Sequence, residues 1–235
     1  MYSFESRVRF SEVDANQQLT MLSVLNYLQD CSTFHSENAH MNITELREYG
    51  YAWLLASWQI VINRLPHLGE HIKTSTWPYD FKGFTGHRNF TIEDEAGQVC
   101  VYANSQWTFV NLNSMRPNRI LPDVAAAYPL SEEFPMEKAP RKIKLLEEGK
   151  EASPILVQKN QIDVHQHVNN AMYVAMAQGF LPEDFETLQI RVEYKNAAVL
   201  GDTIYPVYYE SQDLFQVALK DADGGIYAVV EFTRR

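Results

Sequence analysis

The chain has little of several things, and each shortage removes a class of protein. There are two cysteines, Cys31 and Cys100, in 235 residues. A disulfide-built scaffold is excluded, and a reducing compartment, the cytoplasm, is the expectation. No apolar run approaches the ~18 residues that cross a bilayer as a helix. The opening MYSFESRVRFSE shows no apolar core of a secretory signal. Basic residues are outnumbered, 20 against 30 acidic, for a formal charge of -10. With no basic stripe to offset that charge, nucleic acid is not expected as a partner. No G-x-S-x-G is present, so a serine-elbow hydrolase is not indicated. Both cysteines fall in apolar patterns and read as buried thiols, not nucleophiles.

What is present is a repeat. Val13-Asp14-Ala15-Asn16-Gln17 lies over Ile162-Asp163-Val164-His165-Gln166, and Asn26-Tyr27 lies over Met172-Tyr173 after a three-residue gap. LGEHIKTSTW from Leu68 matches LGDTIYPVYY from Leu200. IEDEAGQVCVYANSQWTF matches LKDADGGIYAVVEFT, with Asp94 and Gly97 answered by Asp221 and Gly224. Three blocks recur in one order, which points to duplication. Between the copies, six of the ten prolines lie from Pro117 to Pro154. That stretch reads as an irregular crossing with one short helix near Ile143–Glu148.

Each copy reads as a short strand, a polar turn, one helix and several strands rich in Val, Ile, Tyr, Phe and Trp. The first strands are expected at Arg7–Phe10 and Ile155–Gln158. Met21, Leu22, Leu25 and Leu28 mark the apolar face of the first helix. Val168, Met172, Ala175, Met176 and Gly179 mark that of the second. EDEAGQ and KDADGG read as hairpin turns in which glycine supplies the positive φ. The fold class is therefore α+β: two tandem units, each an antiparallel sheet wrapped around a central helix. The expected boundaries are 1–112, a linker 113–154, and 155–235.

The second turn, Asp163-Val164-His165-Gln166-His167-Val168-Asn169-Asn170, concentrates the chemistry. It stands where a helix N-terminus begins, and backbone amides there carry positive character without any side chain. Amides around Val168 to Asn170 are thus expected to face an oxyanion. Imidazole is the side chain that exchanges a proton near neutrality, which makes His167 the candidate base. Asp163 would orient it or hold water; alternatively it is an Asx-turn cap. The first copy puts Asn16 and Gln18 where the second has His165 and His167, so chemistry is expected in the second copy alone. No metal site is expected. Asp163, His165 and His167 alternate as metal ligands on a strand would, but the surrounding residues read as a turn.

These residues resemble the D-x-N-x-H-V-N-N signature of the acyl-ACP thioesterases, a family of tandem hotdog-fold enzymes. Further likeness runs through WLLASWQIVINRLPHLGEHIKTSTW, GHRNF and VEYKNAAVLGD. The resemblance implies two hotdog units, a catalytic second one and a first one that shapes the acyl-chain pocket. It implies hydrolysis of fatty acyl-ACP to free fatty acid and carrier, without a cofactor. It gives Asp163, His165 and His167 to catalysis, and Asn169, Asn170, Met21, Leu22 and Trp53 to substrate binding. The family's Asn is His165 here, and its later acidic residue aligns with Ala197. Glu193 lies too far along an extended strand to be a simple replacement. Rival readings are an acyl-CoA thioesterase, a non-catalytic acyl-thioester-binding protein, and a hotdog dehydratase. Arg141, Lys142 and Lys144 form the densest basic cluster and a candidate docking patch for an acidic acyl carrier protein. Sheet-edge pairing also offers a route to a homodimer.

Overall fold

The computed structural model describes residues 1–235. The chain divides into two compact units, Met1–Ala56 with Ile62–Lys138, and Ser57–Val61 with Ala139–Arg235. Elements in chain order are β1 (Tyr2–Arg7), α1 (Met21–Asn38), α2 (Ile43–Glu48), β2 (Tyr51–Ile62), β3 (His71–Lys82), β4 (Thr85–Asp94), β5 (Val99–Asn111), β6 (Arg116–Pro117), α3 (Pro122–Ala126), β7 (Lys150–Glu151), β8 (Ile155–Leu156), α4 (Asn170–Gln178), β9 (Thr187–Tyr194), β10 (Thr203–Glu210), β11 (Leu214–Lys220) and β12 (Ile226–Arg234). Single 3₁₀ turns, Phe10–Glu12 and Lys159–Gln161, precede α1 and α4.

In the first unit the antiparallel order is β1-β3-β4-β5, with β6 on β5. Thr20 caps α1 by accepting the Ser23 N–H, which satisfies one of the amides a helix start leaves unpaired. Val24, Leu25, Leu28, Cys31 and His35 recur at helical spacing and are buried. That stripe packs on β1 and β3. The expected first strand at Arg7–Phe10 lies earlier, at Tyr2–Arg7, because Phe10 belongs to the 3₁₀ turn and is exposed.

In the second unit the order is β9-β12-β11-β10-β7, with β8 also on β10 and Ser57–Val61 of β2 paired to β9. The helix α4 packs on β11 and β12. Its buried residues are Ala171, Tyr173, Val174, Met176 and Ala177. The expected face through Met172, Ala175 and Gly179 is thus displaced, since Gly179 is exposed and the other two are half-buried. A short, almost wholly apolar helix has little periodicity to read.

No helix forms at Ile143–Glu148. The segment is extended and pinned to the outer face of its sheet by side chains. The Ile143 N–H donates to Glu193 Oε2 at 3.2 Å and the Leu146 N–H to Gln216 Oε1 at 2.8 Å. The Ala139 N–H donates to Gln59 Oε1 at 2.9 Å. Residues 131–138 are held similarly in the first unit. There the Phe134 N–H donates to Asn89 Oδ1 at 3.0 Å, and Trp77 Nε1 donates to the Glu132 carbonyl at 2.7 Å. Local propensity for helix loses to these partners, which come from distant strands.

Candidate functional site

The turn at Asp163 is a five-residue loop. The Asp163 N–H donates to the His167 carbonyl at 2.8 Å and the Gln166 N–H returns to the Asp163 carbonyl at 3.0 Å. Ile162 and Val168 close it as an antiparallel bridge. Gln166 takes the left-handed conformation, φ 64, which costs a side-chain-bearing residue roughly 1–2 kcal/mol. The Asp163 carboxylate folds inward and accepts the His165 N–H at 2.8 Å. Asp163 and His167 are joined through the backbone, by the Asp163 N–H to His167 carbonyl bond just inside the bridge.

The first unit builds the same loop. The Asp14 N–H donates to the Gln18 carbonyl at 2.8 Å, the Gln17 N–H to the Asp14 carbonyl at 3.0 Å, and Gln17 has φ 62. Asp94 and Asp221 repeat the design in the β4–β5 and β11–β12 hairpins, with Gly97 and Gly224 at the left-handed position. The Asx-turn reading of Asp163 is therefore correct as a statement of local structure. One bond sets Asp163 apart: Asp14, Asp94 and Asp221 each also accept the amide four residues on, from Gln18, Gln98 and Gly225, whereas the Asp163 carboxylate takes only the His165 N–H of its loop. The loop also carries a pair of exposed imidazoles, His165 and His167.

The duplication extends into the neighbouring segment. The Val168 N–H donates to the Ala198 carbonyl at 2.8 Å, as the Leu19 N–H does to Pro66. The Lys195 and Asn196 amides share the Tyr227 carbonyl, as those of Asn63 and Arg64 share Cys100. Gly201 and Gly69, both with positive φ, turn the chain back to Val157 and Val8. The register runs without a gap from Val13 and Ile162 to the helix starts. Tyr27 thus corresponds to Met176, and the three-residue gap that set it over Tyr173 is not present.

This pairing brings Ala197 and Ala198 beside the head of α4. The Ala198 amide also donates to the Tyr173 hydroxyl at 2.8 Å. Burial raises the Tyr173 pKa, so the hydroxyl stays protonated and neutral. Tyr173 is the positioning residue that sequence reading missed; the repeated L-G-[DE] block beside it was the available signal. Glu193 lies elsewhere, under the 139–148 segment, 5% exposed and accepting the Ile143 N–H.

The amides expected to face an oxyanion are partly committed. The Val168 N–H goes to Ala198 and the Asn169 N–H to the Gln161 carbonyl at 2.9 Å. Asn169 is the helix cap, its Oδ1 accepting the Ala171 N–H at 2.9 Å. Asn170 opens α4, and its carbonyl accepts the Tyr194 hydroxyl at 2.9 Å. The Asn170 N–H, at the first helical position, has no intrahelical acceptor and carries the positive end of the dipole.

The remaining candidates lie in the first unit. Met21 and Leu22 open α1, one buried and one half-buried. Trp53 packs with Phe81 and Phe109 at centroid distances of 6.1 and 4.9 Å, in a cluster with Leu46, Val124 and Tyr128. No group of three or more His, Cys, Asp or Glu side chains is arranged to hold a metal ion. No helix is long and apolar enough to cross a membrane.

The wider comparisons agree with this architecture. A solved acyl-ACP thioesterase from Bacteroides thetaiotaomicron superposes with a TM-score of 0.91 at 24% identity, covering 99% of this chain and 97% of that one. The 12:0-ACP thioesterase from Umbellularia californica does so with a TM-score of 0.86 at 18% identity, covering 100% and 96%. Both share the hotdog fold of these two units. Acyl-[acyl-carrier-protein] hydrolase FATB2, chloroplastic, of Cuphea viscosissima is 26% identical over 78% of this chain and 48% of its own length. Oleoyl-acyl carrier protein thioesterase 1, chloroplastic, of Arabidopsis thaliana is 25% identical over 84% and 60%. The chain spans about half the length of the curated relatives it matches. The acyl-ACP thioesterase N-terminal domain matches residues 1–128 and the C-terminal domain matches 144–227. With both domains matched in order along one chain, on two units that repeat the same Asp-led loop, the chain belongs to the acyl-ACP thioesterase family.

Proposed function

We propose that the protein hydrolyses fatty acyl thioesters carried on acyl carrier protein, releasing the free acid and the carrier thiol. One observation carries the assignment to the second unit. Its Asp-led loop closes with the same two backbone bonds as that of the first unit, yet bears His165 and His167 in place of Asn16 and Gln18. A frame that folds equally well with Asn and Gln does not need imidazoles for stability, which supports a chemical role for them.

In this reading the thioester carbonyl lies at the head of α4, where the Asn170 N–H meets the developing negative charge. His167 takes the proton of the attacking water and returns it to the leaving thiolate. Asp163 holds the loop through the His165 amide and fixes His167 through the backbone bond between them. His165, at the loop tip, lines the approach of the substrate, and Asn169 fixes the helix start. The first unit, with Met21, Leu22 and Trp53, shapes the place of the acyl chain. The domain boundaries 1–112, 113–154 and 155–235 belong to the same proposal. So does a cytoplasmic location, consistent with free, buried Cys31 and Cys100. A homodimer through exposed sheet edges is the assembly this reading allows.

The test is thiol release from a panel of acyl-ACPs against the same acyl chains on coenzyme A. Preferential hydrolysis of acyl-ACP supports the proposal. Equal or better turnover of acyl-CoA moves the carrier assignment. Bound thioester with no thiol released makes the protein an acyl-binding module, and double-bond formation makes it a dehydratase.

A further inference from the structure

Arg88 is a buried cation without an anion. It stands on β4, 8% exposed, under α1. Its Nη1 donates to His35 Nδ1 at 2.7 Å and to Thr76 Oγ1 at 3.2 Å, and its guanidinium carbon lies 5.6 Å from the centre of the Tyr128 ring. These neighbours are neutral. His35 Nδ1 accepts, because a guanidinium only donates. The Tyr128 hydroxyl bonds Ser36 and burial raises its pKa, and burial pushes the nearby Cys31 thiol up to about 12. No carboxylate stands within ion-pair reach of Arg88. The ion pairs of the first unit are Arg9 with Glu12, Arg64 with Glu70 and Asp94, and Lys138 with Glu133. Arg191, the largely buried arginine of the second unit, has Glu231 at 2.6 Å. Burial lowers the Arg88 pKa to about 10, so the group is still charged at neutral pH. A buried charge is costly unless it is paired.

Two further observations point to something this charge receives. Arg88 Nε and Nη2 take no protein acceptor, yet neither is a sealed atom, so both donors border open space. Thr74, two residues from Thr76 on the same face of β3, is fully buried and its hydroxyl bonds nothing. The second unit supplies an internal control. Arg88 pairs with Pro78 across β3 and β4, and Phe215 pairs with Glu210 across β10 and β11. Each stands the same distance ahead of its hairpin aspartate, Asp94 or Asp221. Phe215 is 1% exposed and packs on Tyr208 and Phe185 at 5.7 and 6.3 Å. The repeated frame therefore folds around an aromatic ring at this place and does not require a cation.

We propose that Arg88 receives the carboxylate of a long alkyl chain lodged in the first unit, through the parallel Nε and Nη2 donors that match two carboxylate oxygens. The inference rests on the proposed place of the acyl chain in this unit and adds a charged end to it. From Met21 the buried face of α1 runs through Val24, Leu25 and Leu28 before it reaches Cys31 and His35. His35 lies about 21 Å of helix beyond Met21, so a chain held at Met21 meets apolar residues first and the cation last. The carboxylate has two sources: a free fatty acid, or the far end of an acyl chain that carries a second carboxyl group.

The experiment uses the full chain and Arg88→Met, which keeps an unbranched apolar stem and removes the charge. Calorimetry compares hexadecanoate, below its aggregation concentration, with the uncharged hexadecanamide. Kinetics give the ratio of kcat/KM for two pantetheine thioesters, one of hexadecanedioic acid and one of hexadecanoic acid. The wild type is expected to prefer the charged end by about tenfold or more, in binding, in the ratio, or in both, and Arg88→Met to lose that preference. Loss in binding identifies the free acid as the source, and loss in the ratio identifies the carboxyl-ended thioester; either result supports the site. A preference that Arg88→Met leaves unchanged overturns it. Should the variant not fold, the wild type decides: hexadecanoate raising the melting temperature more than the amide does supports the site, and equal handling of charged and uncharged ends overturns it. Hydrolysis of the methyl-ended thioester with no preference for charge sinks the site and leaves the proposed activity standing. Arg88-dependent binding of hexadecanoate by a protein that hydrolyses no thioester sinks that activity and leaves the site standing.

Discussion

His35 makes acid sensitivity calculable. It is 8% exposed on α1, and its Nδ1 lies 2.7 Å from Nη1 of Arg88, itself 8% exposed. The guanidinium can only donate, so Nδ1 is the acceptor and the ring proton sits on Nε2. Protonating Nδ1 would break that bond and set two cations side by side in the interior. Burial first, and the Arg88 charge second, lower the His35 pKa from 6.5 to about 3. The direction of linkage follows. Above pH 6.5 folded and unfolded imidazoles are both neutral, and nothing is lost. Below it the unfolded chain binds a proton that the folded one refuses, so stability falls as pH falls toward 3. Between pH 7 and pH 5 this amounts to roughly 2 kcal/mol.

His35→Asn keeps an acceptor for Arg88 and removes the titration. It also loses the stacking on Tyr2 and the edge contact with Tyr128, so its absolute stability is lower at every pH. The slope is what matters. Urea unfolding at pH 7, 6 and 5 should show wild type losing ~2 kcal/mol more than the variant across that span. Parallel pH dependence in the two proteins would refute the buried neutral imidazole.

Three further outcomes follow from the site and its frame. Asp163→Asn preserves an acceptor for the His165 amide and removes only charge, so it and His167→Ala should each cut thioester hydrolysis by about 10²-fold or more with an unchanged melting temperature; the same changes at Asp14 and Gln18 should leave turnover within a few-fold. Gln166→Gly relieves the left-handed side chain and should raise stability by about 1 kcal/mol in chemical denaturation. Glu231→Ala strands Arg191, paired at 2.6 Å with both side chains largely buried, and should cost ~3–5 kcal/mol; because Arg191 and Gln216 also hold the 139–148 segment, limited proteolysis should then cut there.

Much of the fold was legible because duplication leaves the same physical problem to be solved twice. The hairpins at Asp94 and Asp221 needed a left-handed residue and had glycine for it. The loops at Asp14 and Asp163 use Gln17 and Gln166 for the same task, and no propensity rule predicts that choice. The alternation of Val192 and Glu193 was visible. Which face the connecting segment would cover was not, because Glu193 and Gln216 meet Ile143 and Leu146 only after strands 50 and 70 residues away are assembled.

The sequence by itself determined that there are two copies, that a helix and antiparallel strands recur in each, and that imidazoles occur in one turn and not its twin. Those are properties of order along the chain. Tertiary structure alone decided which amides at the head of α4 remain open and that Ala198 and Tyr173 brace the loop. Each depends on closing hydrogen bonds between segments that local sequence cannot bring together.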